Sequence, residues 1–281
     1  VSQVAWWYNK DLMSQAGIDV SQIKMWDDLL DAVKQIKAAG ITPICMGGKD
    51  KWPVHFVWTH LHIRNGGKGL FLESLNNGGW DRPEYIRSGE QMLELVELEP
   101  FQKGWLAATW PDQAGFFGDG KCAMALMGNW MYGAQASNSA SGEGLADANM
   151  GMFNMPMTSG GMGDSGDTLG GINGWLFSST ASDAAVELMM HYVSLDVQKE
   201  DASNGAYIPI VKGADGSLTN PFLQQVAKNI SNSEYHQIFY DQFLGADIGR
   251  VVNDVSTDLA AGIISAEEAT QAVQEAWEFN Q

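Results

Sequence analysis

The sequence is short of several things, and each shortage excludes something. Cysteine occurs only twice in 281 residues, as Cys45 and Cys122. The chain is therefore neither a disulfide-scaffolded miniprotein nor a cysteine-rich metal knuckle. Both cysteines sit in apolar, strand-like runs and read as buried thiols. A disulfide between them stays open, and the pair does not decide the cellular compartment. Positive charge is scarce, with 16 Lys and Arg against 34 Asp and Glu and a formal net charge of -18. A protein of that sign is repelled by DNA, RNA and anionic membrane surfaces, so no nucleic-acid partner is expected. The acidic residues are spread along the chain and read as a solvating surface. No apolar run approaches the roughly 20 residues of a membrane span. The chain opens at Val1, without a Met or a charged stretch leading into an apolar one. No secretion signal is visible, and the start is expected to reflect processing or cutting. No internal repeat is visible.

What is abundant is apolar and aromatic. The composition is 45% hydrophobic and 18% charged, which fits a globular fold of one large or two medium domains. There are 11 tryptophans, several beside glycine or proline: Trp52-Pro53, Gly128-Asn129-Trp130 and Gly174-Trp175. Glycine admits close approach of a ligand or another backbone. An indole on such a turn offers a rigid apolar face with one donor. Sugar rings suit that surface, because their C–H faces stack on aromatics while their hydroxyls find polar partners. The competing reading is that these tryptophans are ordinary core.

Helices are expected over 9–16, capped by Asn9 and ended by Gly17, and over 26–39, with Asp27 and Asp28 in the first turn and Gly40 as the stop. A short strand over 41–46 follows, ended by Gly47-Gly48. The pattern predicts a helix over 53–64 broken by Asn65-Gly66-Gly67, another over 88–98, and a short one over 111–117. Strands are expected over 121–127, 150–155 and 169–178, and an edge strand over 207–211 through Pro209. Residues 138–148 read as a loop and 158–167 as a glycine-rich flexible connection. Ser182 caps a helix carrying Val186, Leu188, Met189, Tyr192 and Val193, and 222–230 is helical. Ser265-Ala266-Glu267-Glu268 is a capping box that opens a terminal helix with Ala269, Ala272, Val273, Ala276 and Trp277 on its buried stripe. Helix, strand and glycine loop in alternation are α/β in character.

Two literal motif matches are set aside. Gly161-Met162-Gly163-Asp164-Ser165-Gly166 fits G-x-G-x-x-G, but a dinucleotide site needs a helix opening on those glycines, and a strand is expected instead. Gly163-Asp164-Ser165-Gly166 echoes a serine-protease nucleophile loop, without the many short strands of that fold. His55, His60 and His62 cluster without a metal-ligand spacing, so no metal is expected. His55, two residues after Trp52-Pro53, reads as a polar group lining a pocket. Asn173, between Gly171-Ile172 and Gly174-Trp175, can donate to and accept from a hydroxyl, or can satisfy its own turn. Asp241 and Asp254 lie in polar-aromatic surroundings. They read as solvated surface acids or, for a glycoside hydrolase, as members of a carboxyl pair.

The order of motifs carries a resemblance. Ala5-Trp6-Trp7-Tyr8-Asn9-Lys10-Asp11-Leu12, then Ala16-Gly17-Ile18, then Trp26-Asp27-Asp28-Leu29 resembles the "YYNKDLF…AGI…TWDEL" run of bacterial extracellular solute-binding proteins of family 1, the sugar-binding subunits of ABC importers. Gly40-Ile41-Thr42-Pro43-Ile44 with Gly47-Gly48-Lys49-Asp50-Lys51-Trp52-Pro53, and Phe117-Gly118-Asp119-Gly120-Lys121-Cys122-Ala123-Met124 with Met127-Gly128-Asn129-Trp130, are similar to the runs that follow in the family. So is Gly170-Gly171-Ile172-Asn173-Gly174-Trp175. Met25 departs from the family's Thr or Ser cap, which weakens that helix start by about 1 kcal/mol. Cys45 and Cys122 replace small or aliphatic residues.

The resemblance implies an α/β, periplasmic-binding-protein-like (type II) fold of two hinged lobes with ligand between them. It assigns 4–168 and 220–281 to the C-terminal lobe and 169–219 to a returning segment of the N-terminal lobe, most of which is absent from the chain. Crossings fall near Gln3-Val4, Thr168-Leu169 and 217–220. It implies a non-catalytic binder of a mono- or oligosaccharide, monomeric and without cofactor. The partner is an ABC permease, and the place of work is the periplasm or the cell exterior, with or without a lipid anchor. Trp130 and Trp175 become stacking platforms, Trp52 and His55 wall residues, and Asn173 and Asp241 hydroxyl ligands. The rivals are a carbohydrate-active hydrolase and a binder of a non-sugar polyol or similar solute.

Overall fold

The run Ser2–Asn9 forms strand β1 at the centre of the molecule. Trp6 and Trp7 are adjacent and both fully buried, so both faces of this strand are covered and it shows none of the alternation that marks a half-exposed one. The computed structural model describes residues 1–205 and 207–281. β1 pairs antiparallel with β2 (Met124–Gly128), with β3 (Met150–Phe153) and, through Ser2 and Gln3, with β4 (Thr168–Gly171). β4 in turn pairs in parallel with β5 (His236–Ile238), which gives the order β2-β1-β4-β5 with β3 on a branch from β1. The fold is mixed α/β.

Helices cover this sheet. Asn9 caps α1 (Lys10–Gln15) by accepting from the amides of Asp11 and Leu12. α2 (Trp26–Ala38) buries Leu29, Val33 and Ile36. Its start lacks a side-chain cap from Met25, and Asp28 instead accepts from the amides of Lys24 and Met25. α3 (Trp52–Asn77) is interrupted at Gly67, where φ is 61°. The expected break is thus a kink between two helical runs. α4 (Pro83–Glu97) and α5 (Trp110–Gly118) follow, then α6 (Met131–Ser137), α7 (Asp183–Tyr192), α8 (Leu195–Ser203) and α9 (Pro221–Asn232). The chain ends with α10 (Tyr240–Phe243), α11 (Ala246–Ala260) and α12 (Ala266–Phe279), whose Ser265–Glu268 capping box is formed as expected. One large core holds most buried side chains. A second, small one joins Ala202, Ile208, Leu218, Leu223 and Val226.

Several expectations are corrected. Residues 41–46 make no strand: only Ile44 bridges, to Phe101 and Met124. The cysteines are not thiols but a Cys45–Cys122 disulfide with Cα atoms 5.7 Å apart, which staples this segment beside β2. Strand β4 stops at Gly171, and 172–178 and 207–210 pair with nothing as strands. The glycine-rich run 158–167 is not a loose connection. The fully buried Arg64 guanidinium donates to the carbonyls of Met155, Pro156, Asp164 and Asp167. The amides of Met162 and Gly163 bond to Asn65 and Arg64 at the α3 kink. A Cβ on Gly163 would lie 2.1 Å from the Ile63 carbonyl oxygen, so the glycines are there for close approach. No helix opens on that run.

Candidate functional site

Two helix starts bring tryptophans together. α3 begins at Trp52-Pro53 and α5 at Trp110-Pro111, where proline's fixed φ and missing N–H suit a first turn. The Asp50 carboxylate accepts from the Trp110 amide at 2.7 Å and ties one start to the other. Gly47 and Gly48 let the connecting loop press on residues 105–110: a Cβ at Gly47 would sit 2.7 Å from the Thr109 carbonyl oxygen. Lys51, the residue before α3, has φ 63°, a left-handed conformation that a non-glycine residue adopts at a cost. The Trp52 and Trp110 rings end 5.8 Å apart.

The third plate comes from the end of β2. Asn129 exchanges hydrogen bonds with Gln3 of β1, its amide donating to the Gln3 carbonyl and its side-chain oxygen accepting from the Gln3 amide. That anchor fixes the chain just before Trp130. The Trp130 ring folds back over Gly128, where a Cβ would come within 2.1 Å of it. The Trp130 ring then lies 6.3 Å from Trp52, 6.4 Å from Trp110 and 6.2 Å from Phe239.

Trp130 faces a cavity of about 910 Å³ that Asn129, Tyr132, Asn173, Trp175, Tyr192 and Tyr207 also line. Trp175 is 69% exposed, and its ring stands edge-on to Tyr192 at 6.4 Å. Of the residues singled out from sequence, Trp130, Asn173 and Trp175 therefore share one cavity. Trp52 stands behind Trp130 and lines no part of it.

His55 and Asp241 are placed elsewhere. His55 lies on the inner face of α3 with no exposed surface, packed edge-on to Phe56 at 4.8 Å. Its Nε2 is 3.9 Å from the Asp241 carboxylate. Burial drives its pKa down, and the Asp241 charge pulls against that shift. It lines neither opening, because α3 is covered on that side by aromatic packing. Asp241 borders a second, polar pocket of about 540 Å³ with Lys51, Arg250, Asn253 and Asp254. Asp254 there is not a free surface acid: it holds Lys51 at 2.6 Å and Arg250 at 3.0 Å. His60 and His62 are core residues whose pKa values burial lowers to about 3. Among the described residues, no three His, Cys, Asp or Glu side chains converge on a metal-sized gap.

Sequence reasoning missed Trp110, Tyr132, Tyr192, Tyr207 and Asn129. A signal existed for the first, since Trp110-Pro111 repeats the Trp52-Pro53 pattern. The tyrosines sit in helices or irregular chain with nothing local to distinguish them from core.

A family profile described as bacterial extracellular solute-binding protein matches residues 2–200. An uncharacterized ABC transporter extracellular-binding protein of Pyrococcus horikoshii is 31% identical over 128 residues, 45% of this chain and 29% of that protein. The sn-glycerol-3-phosphate-binding periplasmic protein of Shigella flexneri is 34% identical over 100 residues, 34% of this chain and 22% of that protein. Both alignments thus take in less than a third of the relative's length. Among solved structures, a chitin oligosaccharide binding protein superposes with a TM-score of 0.86 and shares its fold at 22% identity; the match covers 99% of this chain and 69% of that one.

Proposed function

Because the chain belongs to the bacterial extracellular solute-binding proteins, we propose that it captures a saccharide and hands it, unaltered, to the membrane permease of an ABC importer. The observation that carries the proposal is the single cavity that Trp130, Asn173 and Trp175 share. Indole faces stack on sugar C–H faces and the asparagine amide meets hydroxyls from both sides of the hydrogen bond. Trp52 and Trp110 act from behind, holding Trp130 in place. His55 does not touch the ligand; Asn253 holds Asp241 at 3.2 Å, and Asp241 meets ligand hydroxyls only if the ligand reaches the polar pocket.

A hydrolase needs two carboxyl groups facing one opening. Among the described residues that line the cavity there is no Asp or Glu side chain, which favours a binder over an enzyme. In the two-lobe reading, 4–168 and 220–281 form one lobe and 169–219 belongs to the other. The small core joins Ala202, Ile208 and Leu218 of that segment to Leu223 and Val226 of the other stretch, so it lies where the two lobes of this reading meet. Closure then hinges where β1 meets β4, at Ser2 and Gln3 against Gly170 and Gly171. The protein acts as a monomer in the periplasm or outside the cell, free or lipid-tethered. No described helix is long and apolar enough to cross a membrane.

The test is titration calorimetry of the whole protein with sugars, alongside Trp130→Ala and Trp175→Ala. Each stack is worth on the order of 1 kcal/mol or more, so each variant is expected to lose about fivefold in affinity or more with an unchanged circular dichroism spectrum. Full affinity in both variants removes the stacking role.

A further inference from the structure

We infer that Asn129 is a positioning residue for Trp130: its side-chain oxygen takes the place of a strand carbonyl at the end of β2, and that exchange, anchored on Gln3, turns the chain so that the indole faces the cavity. The inference deepens the reading above, in which Trp130 is a platform, and says nothing of which ligand rests on it.

The antiparallel ladder between β1 and β2 runs as far as the pair Val4 and Gly128. One step on, Gln3 faces Asn129. Two residues at a hydrogen-bonded position of such a ladder exchange two main-chain bonds. One of them is present here, from the Asn129 amide to the Gln3 carbonyl at 3.0 Å. The side chain takes over the other: the Gln3 amide donates to Asn129 Oδ1, also at 3.0 Å. Gln3 is thus satisfied although the Asn129 main-chain carbonyl has left the sheet.

That released carbonyl accepts from the Tyr132 amide at 3.3 Å and closes a turn. Trp130 has helical backbone angles, φ -66° and ψ -14°, and α6 starts at the next residue without a side-chain cap. The chain passes from strand to helix within one residue. Asparagine suits this, because its short side chain carries a carbonyl that can replace a main-chain one. The turn is what lays the indole over Gly128 and beside Phe239.

The anchor itself is held. The buried Gln3 side chain donates to Asn154 Oδ1 at 3.0 Å and accepts from Asn229 Nδ2 at 3.1 Å. Asn229 also donates to Asn154 Oδ1, at 3.0 Å, which closes a ring of three amides. Releasing one of them leaves buried polar groups unpaired, at a cost. Asn154 lies just past β3 and Asn229 on α9, so the ring ties the Trp130 turn to both elements.

The two ends of the Asn129 amide therefore have different tasks. Oδ1 is spent on Gln3, while Nδ2 has no partner among the described residues and belongs to the cavity lining. An aspartate at this position keeps the acceptor and loses the donor.

The experiment is fluorine NMR of the whole protein labelled with fluorotryptophan, without ligand. The Trp130 line is the one that vanishes in Trp130→Phe. Asn129→Ala is expected to shift and broaden or split that line, with the lines of the buried Trp26 and Trp80 unmoved, and Asn129→Asp to restore a single line near its original place. Gln3→Met leaves Asn129 intact but opens the amide ring, and is expected to broaden the line. A merely structural Asn129 lowers the thermal midpoint and leaves the Trp130 line where it was; that result overturns the inference. A line as disturbed in Asn129→Asp as in Asn129→Ala overturns the role of the oxygen. Should Asn129→Ala fail to fold, an unbroadened line in Gln3→Met overturns the anchor. Lines that respond as expected, with full sugar affinity in Trp130→Ala, defeat the stacking role of Trp130 and leave this inference standing.

Discussion

His62 has no hydrogen-bond partner on either ring nitrogen and lies between Trp58 and Tyr85, each 4.4 Å from it. His60 gives one nitrogen to the Phe56 carbonyl. Burial holds both near a pKa of about 3, from an ordinary 6.5. The unfolded chain takes up protons in that window and the native chain does not. Stability is therefore complete above the ordinary histidine value and falls as pH drops below it, by up to about 1.4 kcal/mol per pH unit for each histidine. The upper part of the window lies above the carboxylate range, so histidines dominate there. The urea midpoint is expected to decline from neutral pH to about pH 5, and His62→Leu, which sacrifices no hydrogen bond, to flatten the decline. An unchanged slope in that variant assigns the effect to other groups. The tryptophans make the same point about burial. Trp130 and Trp175 have glycine close before them and reach the cavity, but Gly79-Trp80 has the same neighbour and is 1% exposed. The local pattern nominates a residue, and packing decides its role.

At the scale of elements, the helices were the most legible part. Asn9, Ser182 and Ser265 cap the helices they were expected to cap, because a cap is a bond between residues two or three apart. Met25 is the exception, and Asp28 supplies only the returning half of the box there. Met25→Thr is expected to raise stability by about 1 kcal/mol, read as an upward shift of the thermal midpoint; no shift means that Asp28 and the Trp26–Met157 backbone bond already satisfy that helix start. Strands were less legible. β1 shows no alternation because both its faces are covered, and 41–46 looks like a strand but pairs through Ile44 alone. The glycine-rich run 158–167 reads locally as flexible. What pins it is Arg64, 100 to 103 residues away in sequence from the carbonyls it holds there.

Across the whole molecule, the disulfide joins residues 77 apart. Closing so long a loop removes much freedom from the unfolded chain, and the loss of such a bond costs roughly 2–5 kcal/mol. The double variant Cys45→Ala/Cys122→Ala is expected to unfold at a correspondingly lower urea concentration, with the proposed sugar binding by the folded protein unaffected. An equal midpoint means that the packing around β2 holds this segment without the bond.

Composition and the order of motifs sufficed for the fold class and the family, and they nominated tryptophan as the residue to test. Those signals depend on residue type and on neighbours a few positions apart. Tertiary structure alone decided that Trp130, Asn173 and Trp175 share a cavity, that His55 is sealed behind it and that Asp241 borders another. Those facts depend on contacts between segments far apart in the chain, and neither hydrophobic periodicity nor turn chemistry carries information over such separations.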